Sequence, residues 1–298
     1  MKAVEYKKSL PIDAADALID FEATKPEPTG RDIRVAVKAV SVNPADYNVR
    51  KRAEPPEGQI KILGYDAAGI VDAVGPEVTL FKPGDEVFYA GSIQRQGTNS
   101  ELHLVDERIV GKKPKALSFA QAAALPLTTI TAWELLFDRL GAVPGKSLDP
   151  RTLLITGGAG GVGSILIQLA RRLTGPTVVA TATRPESQKW CLDLGAHSVI
   201  DHGRPMKEQI EKLKLSQWEG HRYRRLRSQS KKLTCPAGGY SLATEGSGIE
   251  TLRWLMGPDR APPITQQVDV RPVKVKICKP VRRPLKEAHE CIAAISRI

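Results

Sequence analysis

The stretch Thr152-Leu-Leu-Ile-Thr-Gly-Gly-Ala-Gly-Gly-Val-Gly-Ser-Ile-Leu-Ile-Gln-Leu-Ala-Arg-Arg172 decides the fold. The apolar run Leu153-Leu154-Ile155 enters a cluster of glycines, and the cluster opens onto Val162, Ile165, Leu166, Leu169 and Leu173, which fall at helical spacing. Strand, glycine turn and helix in succession make Gly158-x-Gly160-x-x-Gly163 a dinucleotide-binding fingerprint, with Gly161 and Val162 inside the same turn. Residues without a β-carbon allow a tight turn and let the main chain approach a pyrophosphate, whose charge then meets the positive end of the helix. The bland alternative is an ordinary glycine-rich turn. A second β-branched run, Thr177 to Ala182, follows the break at Gly175-Pro176 and completes a βαβ unit, which favours the nucleotide.

The end of that second run bears on which nucleotide. An NAD site places an acid about 20 residues past the glycines for the ribose 2′-hydroxyl, whereas an NADP site needs a cation. Here the run ends Thr181-Ala182-Thr183-Arg184. A guanidinium fork and a neighbouring hydroxyl suit a 2′-phosphate, so NADPH is expected, with NADH as the second candidate. The competing reading makes Arg184 a solvated residue ahead of a helix starting at Pro185-Glu186.

With 298 residues the chain can hold two domains and a sizeable core. Neither a signal-type leader nor an 18-residue apolar run is present, so a soluble, cytoplasmic protein with no membrane partner is expected. Cys191, Cys235, Cys278 and Cys291 are far apart and form no C-x-x-C pair, which disfavours a disulfide framework and a thiolate zinc site. The formal charge of +11 is unevenly placed: residues 214–298 hold 17 Lys and Arg against 7 Asp and Glu.

From Met1 to about Pro126, short β-like runs (Arg34 to Val42, Gly69 to Val74, Glu86 to Tyr89) alternate with turns at Pro28-Thr29-Gly30, Pro55 to Gly58 and Lys82-Pro83-Gly84-Asp85, predicting a mostly β domain in which no helix dominates. Ser118 predicts a capped short helix over 119–124, and Trp133, Leu136, Phe137 and Leu140 a longer one over 128–140.

These residues carry a family resemblance. Val42-Asn43-Pro44-Ala45-Asp46, Gly64-Tyr65-Asp66-Ala67-Ala68-Gly69, Phe81-Lys82-Pro83-Gly84-Asp85-Glu86-Val87 and Ala124-Leu125-Pro126 through Glu134, together with Gly157 to Gly163, resemble the medium-chain dehydrogenase/reductase superfamily, in its quinone oxidoreductase-like branch, where zinc-type alcohol dehydrogenase-like members occur. The resemblance covers roughly residues 1–213. It implies an α/β protein: a GroES-like β-rich catalytic domain over 1–126, a Rossmann NADP-binding domain over 127–213 that is incomplete at its C-terminal part, a divergent basic segment over 214–298, and an active site in the cleft between the domains. A homodimer is compatible with it. It also places Thr131 near the nicotinamide.

Zinc-dependent members ligate metal with an early cysteine and a His-Glu pair. The matching positions here are Asn43 and Gly64-Tyr65-Asp66, and the first 190 residues hold no cysteine and a single histidine, His103, so no zinc is expected. Without a Lewis acid, simple alcohol oxidation is disfavoured, whereas hydride delivery to a quinone or an α,β-unsaturated carbonyl needs only positioning and a hydrogen-bond donor. Asn43 and Tyr47, at the end of a strand in a proline-containing turn, are the candidate donors, with Tyr65 as a third. Each has a structural alternative: a turn residue, a half-buried core aromatic and a loop cap, respectively. Asp46 reads as a structural hydrogen-bonding residue and His103 as a satisfied strand histidine.

Beyond Leu213 the alternation of strand and helix stops, and the basic run His221 to Lys232 leads into Pro- and Gly-interrupted sequence. Two readings compete: a nucleic-acid-binding module, or a shifted reading frame replacing the last third. The second is favoured, since no binding pattern recurs, and a poorly ordered segment is expected there. The function read from the whole chain is hydride transfer from NADPH to a quinone or enone without zinc; the alternative is a catalytically inactive nucleotide- or RNA-binding protein.

Overall fold

A computed structural model of the chain describes residues 1–145, 149, 151–213 and 215, with the backbone of 240–242. Contacts divide it into two compact units, Met1–Leu127 and one that begins at Thr128.

The first unit runs β1 (Lys2–Tyr6), β2 (Ile19–Glu22), β3 (Asp32–Ser41), α1 (Pro44–Arg52), β4 (Lys61–Ile62), β5 (Asp66–Val74), β6 (Glu86–Ala90), β7 (Leu102–Asp106), β8 (Val110–Lys112) and α2 (Phe119–Ala123). Its strands form a three-stranded sheet, β2-β1-β4, and a five-stranded sheet, β7-β3-β5-β6-β8. Every pairing is antiparallel. Period-two alternation explains the core: Ile33, Val35 and Val37 point one way from β3 and pack with Ala67, Val71, Val87, Tyr89 and Val105. On α2, Ala122 and Ala123 pack against Ala39 and Ala68, where small residues bring helix and sheet close. Ser118 caps α2 as expected, its hydroxyl accepting from Gln121 N–H at 3.3 Å while the Gln121 side chain accepts from Ser118 N–H at 3.0 Å.

Two local expectations change. The proline turn after β3 is the start of a nine-residue helix, α1. Pro44 occupies a position whose missing N–H costs nothing, Asp46 receives the Asn43 N–H, and Arg50, Lys51 and Arg52 close the last turn against the helix dipole. The single helix expected over 128–140 is instead α3 (Pro126–Trp133), running into a π-helical turn at Glu134–Arg139. Leu136 is buried in that turn, while Trp133 and Phe137 hold their rings 4.6 Å apart.

The second unit continues with β9 (Thr152–Ile155), α4 (Gly161–Leu173), β10 (Thr177–Thr181), α5 (Pro185–Asp193), β11 (Ser198–Ile200), α6 (Met206–Lys212) and β12 (Tyr240–Leu242). The sheet order is β11-β10-β9-β12, all parallel. Such a sheet, covered by helices, needs strands that are apolar throughout rather than alternating, and Thr152 to Ile155 are all buried. α4 buries every residue from Gly163 to Ala170. The backbone of β12, within 214–298, pairs with Leu153 to Ile155 along the second edge of β9. The poor order expected of that segment, and the alternative reading of it as a nucleic-acid-binding module, lie outside the described residues. Among the described residues, no helix is long and apolar enough to cross a membrane.

Candidate functional site

In the second unit, the glycines between β9 and α4 divide by what surrounds them. Gly157 has φ +66°, the left-handed region that favours glycine. A β-carbon on Gly158 would lie 2.8 Å from that of Ala180 and 2.9 Å from Cys191 Sγ, and one on Gly163 only 2.4 Å from the Gly157 carbonyl oxygen. These two let helix and strand touch. Gly160 and Gly161 are exposed instead, and a β-carbon on them would come no nearer than 3.2 Å to Gly157 O and 3.3 Å to Thr128 Cγ2, respectively. Gly160 is the residue just ahead of α4, so the open face of the turn coincides with the helix end whose first N–H groups lack intrahelical acceptors. Val162 is half-buried behind them.

Thr128, which the sequence did not single out, brings α3 onto this turn. Thr131 is half-buried one helical turn later and shares its stripe. At the exit of β10, Ala182 is buried while Thr183 and Arg184 are exposed, and Arg184 precedes α5 with Pro185 as the first helical residue. A β-carbon on Gly203 would lie 3.5 Å from Thr183 Cγ2, so the exits of β10 and β11 adjoin. The open glycines, Thr183 and Arg184 thus stand at the carboxyl ends of parallel strands, where doubly wound sheets bind nucleotides.

The first unit holds the other candidates. Asn43 is 6% exposed and donates twice, from its backbone N–H to Asp46 Oδ2 at 2.7 Å and from Nδ2 to Asp66 Oδ2 at 2.8 Å. Asp66 is fully buried, and its other oxygen accepts the Leu127 N–H at 2.8 Å. Burial pushes the Asp46 carboxyl up to about 7, against backbone hydrogen bonds from Asn43 and Gly64 that favour the ionised form. Asp66 is likewise held well above the usual carboxylate range, chiefly by burial and further by Asp46. Tyr65 is buried, its phenol raised by desolvation and then by Asp46. The Tyr65 hydroxyl and Asp46 Oδ1 have no hydrogen-bond partner among the described residues.

Tyr47 differs from both. It is 44% exposed on α1, with Lys51 Nζ 5.4 Å from its ring centroid. Of the three expected donors, Asn43 and Tyr65 are enclosed around the two buried acids, and Tyr47 presents its phenol to solvent. Neither the half-buried aromatic considered for Tyr47 nor the loop cap considered for Tyr65 describes them. His103 is a core residue: Nδ1 lies 3.0 Å from Tyr89 Oη, Nε2 lies 3.0 Å from Gln96 O, and burial lowers its pKa to about 4.

These donors do not fit zinc. At the family's ligand positions stand an amide committed to Asp66, a buried phenol, and a carboxylate with both oxygens engaged, none of them sulfur or imidazole. Among the described residues no three His, Cys, Asp or Glu side chains gather as a ligand set. What the sequence missed is the environment of Asp46 and Asp66: both lie inside motifs it recognised, but their burial is assembled from residues far apart in the chain.

A GroES-like β unit followed by a Rossmann-type unit with an open glycine turn is a known class of architecture. A profile of the alcohol dehydrogenase GroES-like domain matches residues 29–130. A zinc-type alcohol dehydrogenase-like protein of Staphylococcus aureus (strain COL) is 42% identical over 219 residues, covering 72% of this chain and 64% of that protein. The crystal structure of a proposed zinc-dependent alcohol dehydrogenase from Rhizobium etli CFN 42 is 60% identical, with a TM-score of 0.68 over 73% of this chain and 63% of that one. That of Escherichia coli quinone oxidoreductase complexed with NADPH is 31% identical, with a TM-score of 0.61 over 72% and 63%. The chain belongs to the quinone oxidoreductase-like branch of the medium-chain dehydrogenase/reductase superfamily. It spans less than two thirds of the length of these relatives.

Proposed function

We propose that this protein is an oxidoreductase that uses NADPH to reduce a quinone or an α,β-unsaturated carbonyl, and that it works without zinc. The observation that carries the reading is the division of the glycine turn into two packed glycines and two open ones at a helix end. Gly160, Gly161 and Val162 would receive the pyrophosphate, Thr131 would lie toward the nicotinamide, and Thr183 and Arg184 would hold the 2′-phosphate. When bound, the reduced nicotinamide supplies a hydride. The Tyr47 phenol is the exposed donor for the oxygen that gains charge, and Asn43, Asp46, Asp66 and Tyr65 form the buried support behind α1. The absence of thiolate and imidazole donors fits an acceptor already electrophilic enough to take hydride without a Lewis acid.

The test is loss of NADPH absorbance when the folded full-length protein is mixed with benzoquinone or with a simple enone such as butenone. Turnover is expected to survive a chelator, in protein carrying far less than one zinc per chain. No turnover with any quinone or enone overturns the activity, and stoichiometric zinc whose removal abolishes turnover overturns the zinc-free mechanism.

Cofactor choice is tested separately. Arg184→Ala is expected to weaken NADPH binding by about 1.5 to 3 kcal/mol, the range for a hydrogen bond to a charged group, while leaving NADH nearly unchanged. Titration of the variant with each nucleotide checks this, and equal losses for both would remove Arg184 from the phosphate site.

A further inference from the structure

Thr181, the last residue of β10, is fully buried and grips the glycine turn at two successive residues. Its carbonyl oxygen accepts the Gly158 N–H at 3.0 Å, and its hydroxyl oxygen accepts the Gly157 N–H at 3.0 Å. The same hydroxyl lies 3.0 Å from Nδ1 of His202, in the segment after β11. An amide N–H can only donate, so the hydroxyl accepts from Gly157, and with its proton and second lone pair it can pair with Nδ1 of His202 in either direction.

We propose that Thr181 is a cofactor-positioning residue: its hydroxyl, held in orientation by His202, braces Gly157 and thereby sets the open face of the turn. Gly157 stands at φ +66°, and its carbonyl accepts the Gly160 N–H at 2.9 Å, so the position of exposed Gly160 depends on how Gly157 is anchored. The backbone bond from Gly158 places the turn beside β10. The hydroxyl bond adds the orientation of the peptide ahead of it, which a valine of nearly equal shape cannot supply. This rests on the reading of the turn as a nucleotide site. It differs from the role given to Arg184 in which part of the nucleotide it governs: pyrophosphate is common to NADPH and NADH, so the brace acts on both alike.

The experiment is direct titration of the full-length protein with NADPH and with NADH. Thr181→Val is expected to raise both dissociation constants together by roughly tenfold, because it strips the part-buried Gly157 N–H of its acceptor, and Thr181→Ser to stay within about twofold of the parent. Unchanged binding in Thr181→Val overturns the proposal, as does a serine variant as weak as the valine one. A parent protein that binds neither nucleotide overturns the nucleotide reading itself, a distinct failure seen before any variant is made. Should Thr181→Val not fold, His202→Phe decides: a parallel rise in both dissociation constants is expected, and unchanged binding overturns the brace as held by His202.

Discussion

Gly163→Ala is expected to destabilise the protein by about 2 kcal/mol or more and to weaken nucleotide binding at least tenfold, the cost of forcing atoms into a site with no room. Alanine would otherwise be the better helix former here by as much as about 1 kcal/mol, so the sign is decided by packing. The new β-carbon would meet the Gly157 carbonyl oxygen at 2.4 Å and Gly158 Cα at 2.9 Å. Both are backbone atoms of the turn, and neither can swing aside as the tip of a long side chain could. Gly160→Ala is the informative contrast. Its nearest neighbour would be at 3.2 Å and its φ is −73°, so stability should change by no more than about 0.5 kcal/mol. It lies on the open face, however, and the added methyl would stand where the pyrophosphate approaches. Denaturant unfolding paired with nucleotide titration reads both quantities. Loss of stability and binding together in Gly163→Ala, with loss of binding alone in Gly160→Ala, is the expected pattern. Full binding by the Gly160 variant would remove the turn from the nucleotide site.

Asp46→Asn is expected to flatten the pH dependence of stability. The folded carboxyl titrates at about 7 against a reference value of 3.8, because it is buried without a cation. The folded chain therefore holds a proton that the unfolded chain releases between those values. The stability contributed by this group is complete below about pH 4 and is lost as pH rises toward 7, above which the folded state carries an ionised acid in an apolar site. A difference of about three units corresponds to something on the order of 4 kcal/mol. The asparagine amide oxygen can still accept the Asn43 N–H that Asp46 Oδ2 accepts at 2.7 Å, so the substitution removes the titration while keeping that bond. Unfolding free energies at pH 5 and pH 8 check this: the parent should lose stability across the interval, and the variant should lose much less. Asp66 shifts in the same direction, so some slope remains. Equal slopes in the two proteins would show that Asp46 ionises normally in the fold.

Both expectations show where sequence reading stops. The βαβ unit around the glycines was legible because its signals are local: an apolar run, a glycine cluster, and residues at helical spacing sit next to one another, and backbone geometry allows them few other structures. The start of α5 at Pro185 and the capping of α2 by Ser118 were legible for the same reason. So was the lack of sulfur and imidazole where zinc would need them. Helix α1 was hidden because its start reads equally well as a proline turn and its apolar stripe is weak; Tyr6, Leu63 and Tyr65, from other parts of the chain, are what Ala45 and Val49 pack against.

By itself, then, the sequence determined the order of units, the nucleotide fingerprint and the ligand chemistry missing from the zinc positions, since each depends on residue type and short spacing. Tertiary structure alone decided which glycines pack and which lie open, that Tyr65 is enclosed while Tyr47 is exposed, and that two aspartates in recognisable motifs are buried side by side. The reason is distance along the chain. Asp66 meets Asn43 across 23 residues and Leu127 across 61, and Thr181 meets Gly157 across 24. Desolvation raises a carboxyl only once such distant segments have closed around it.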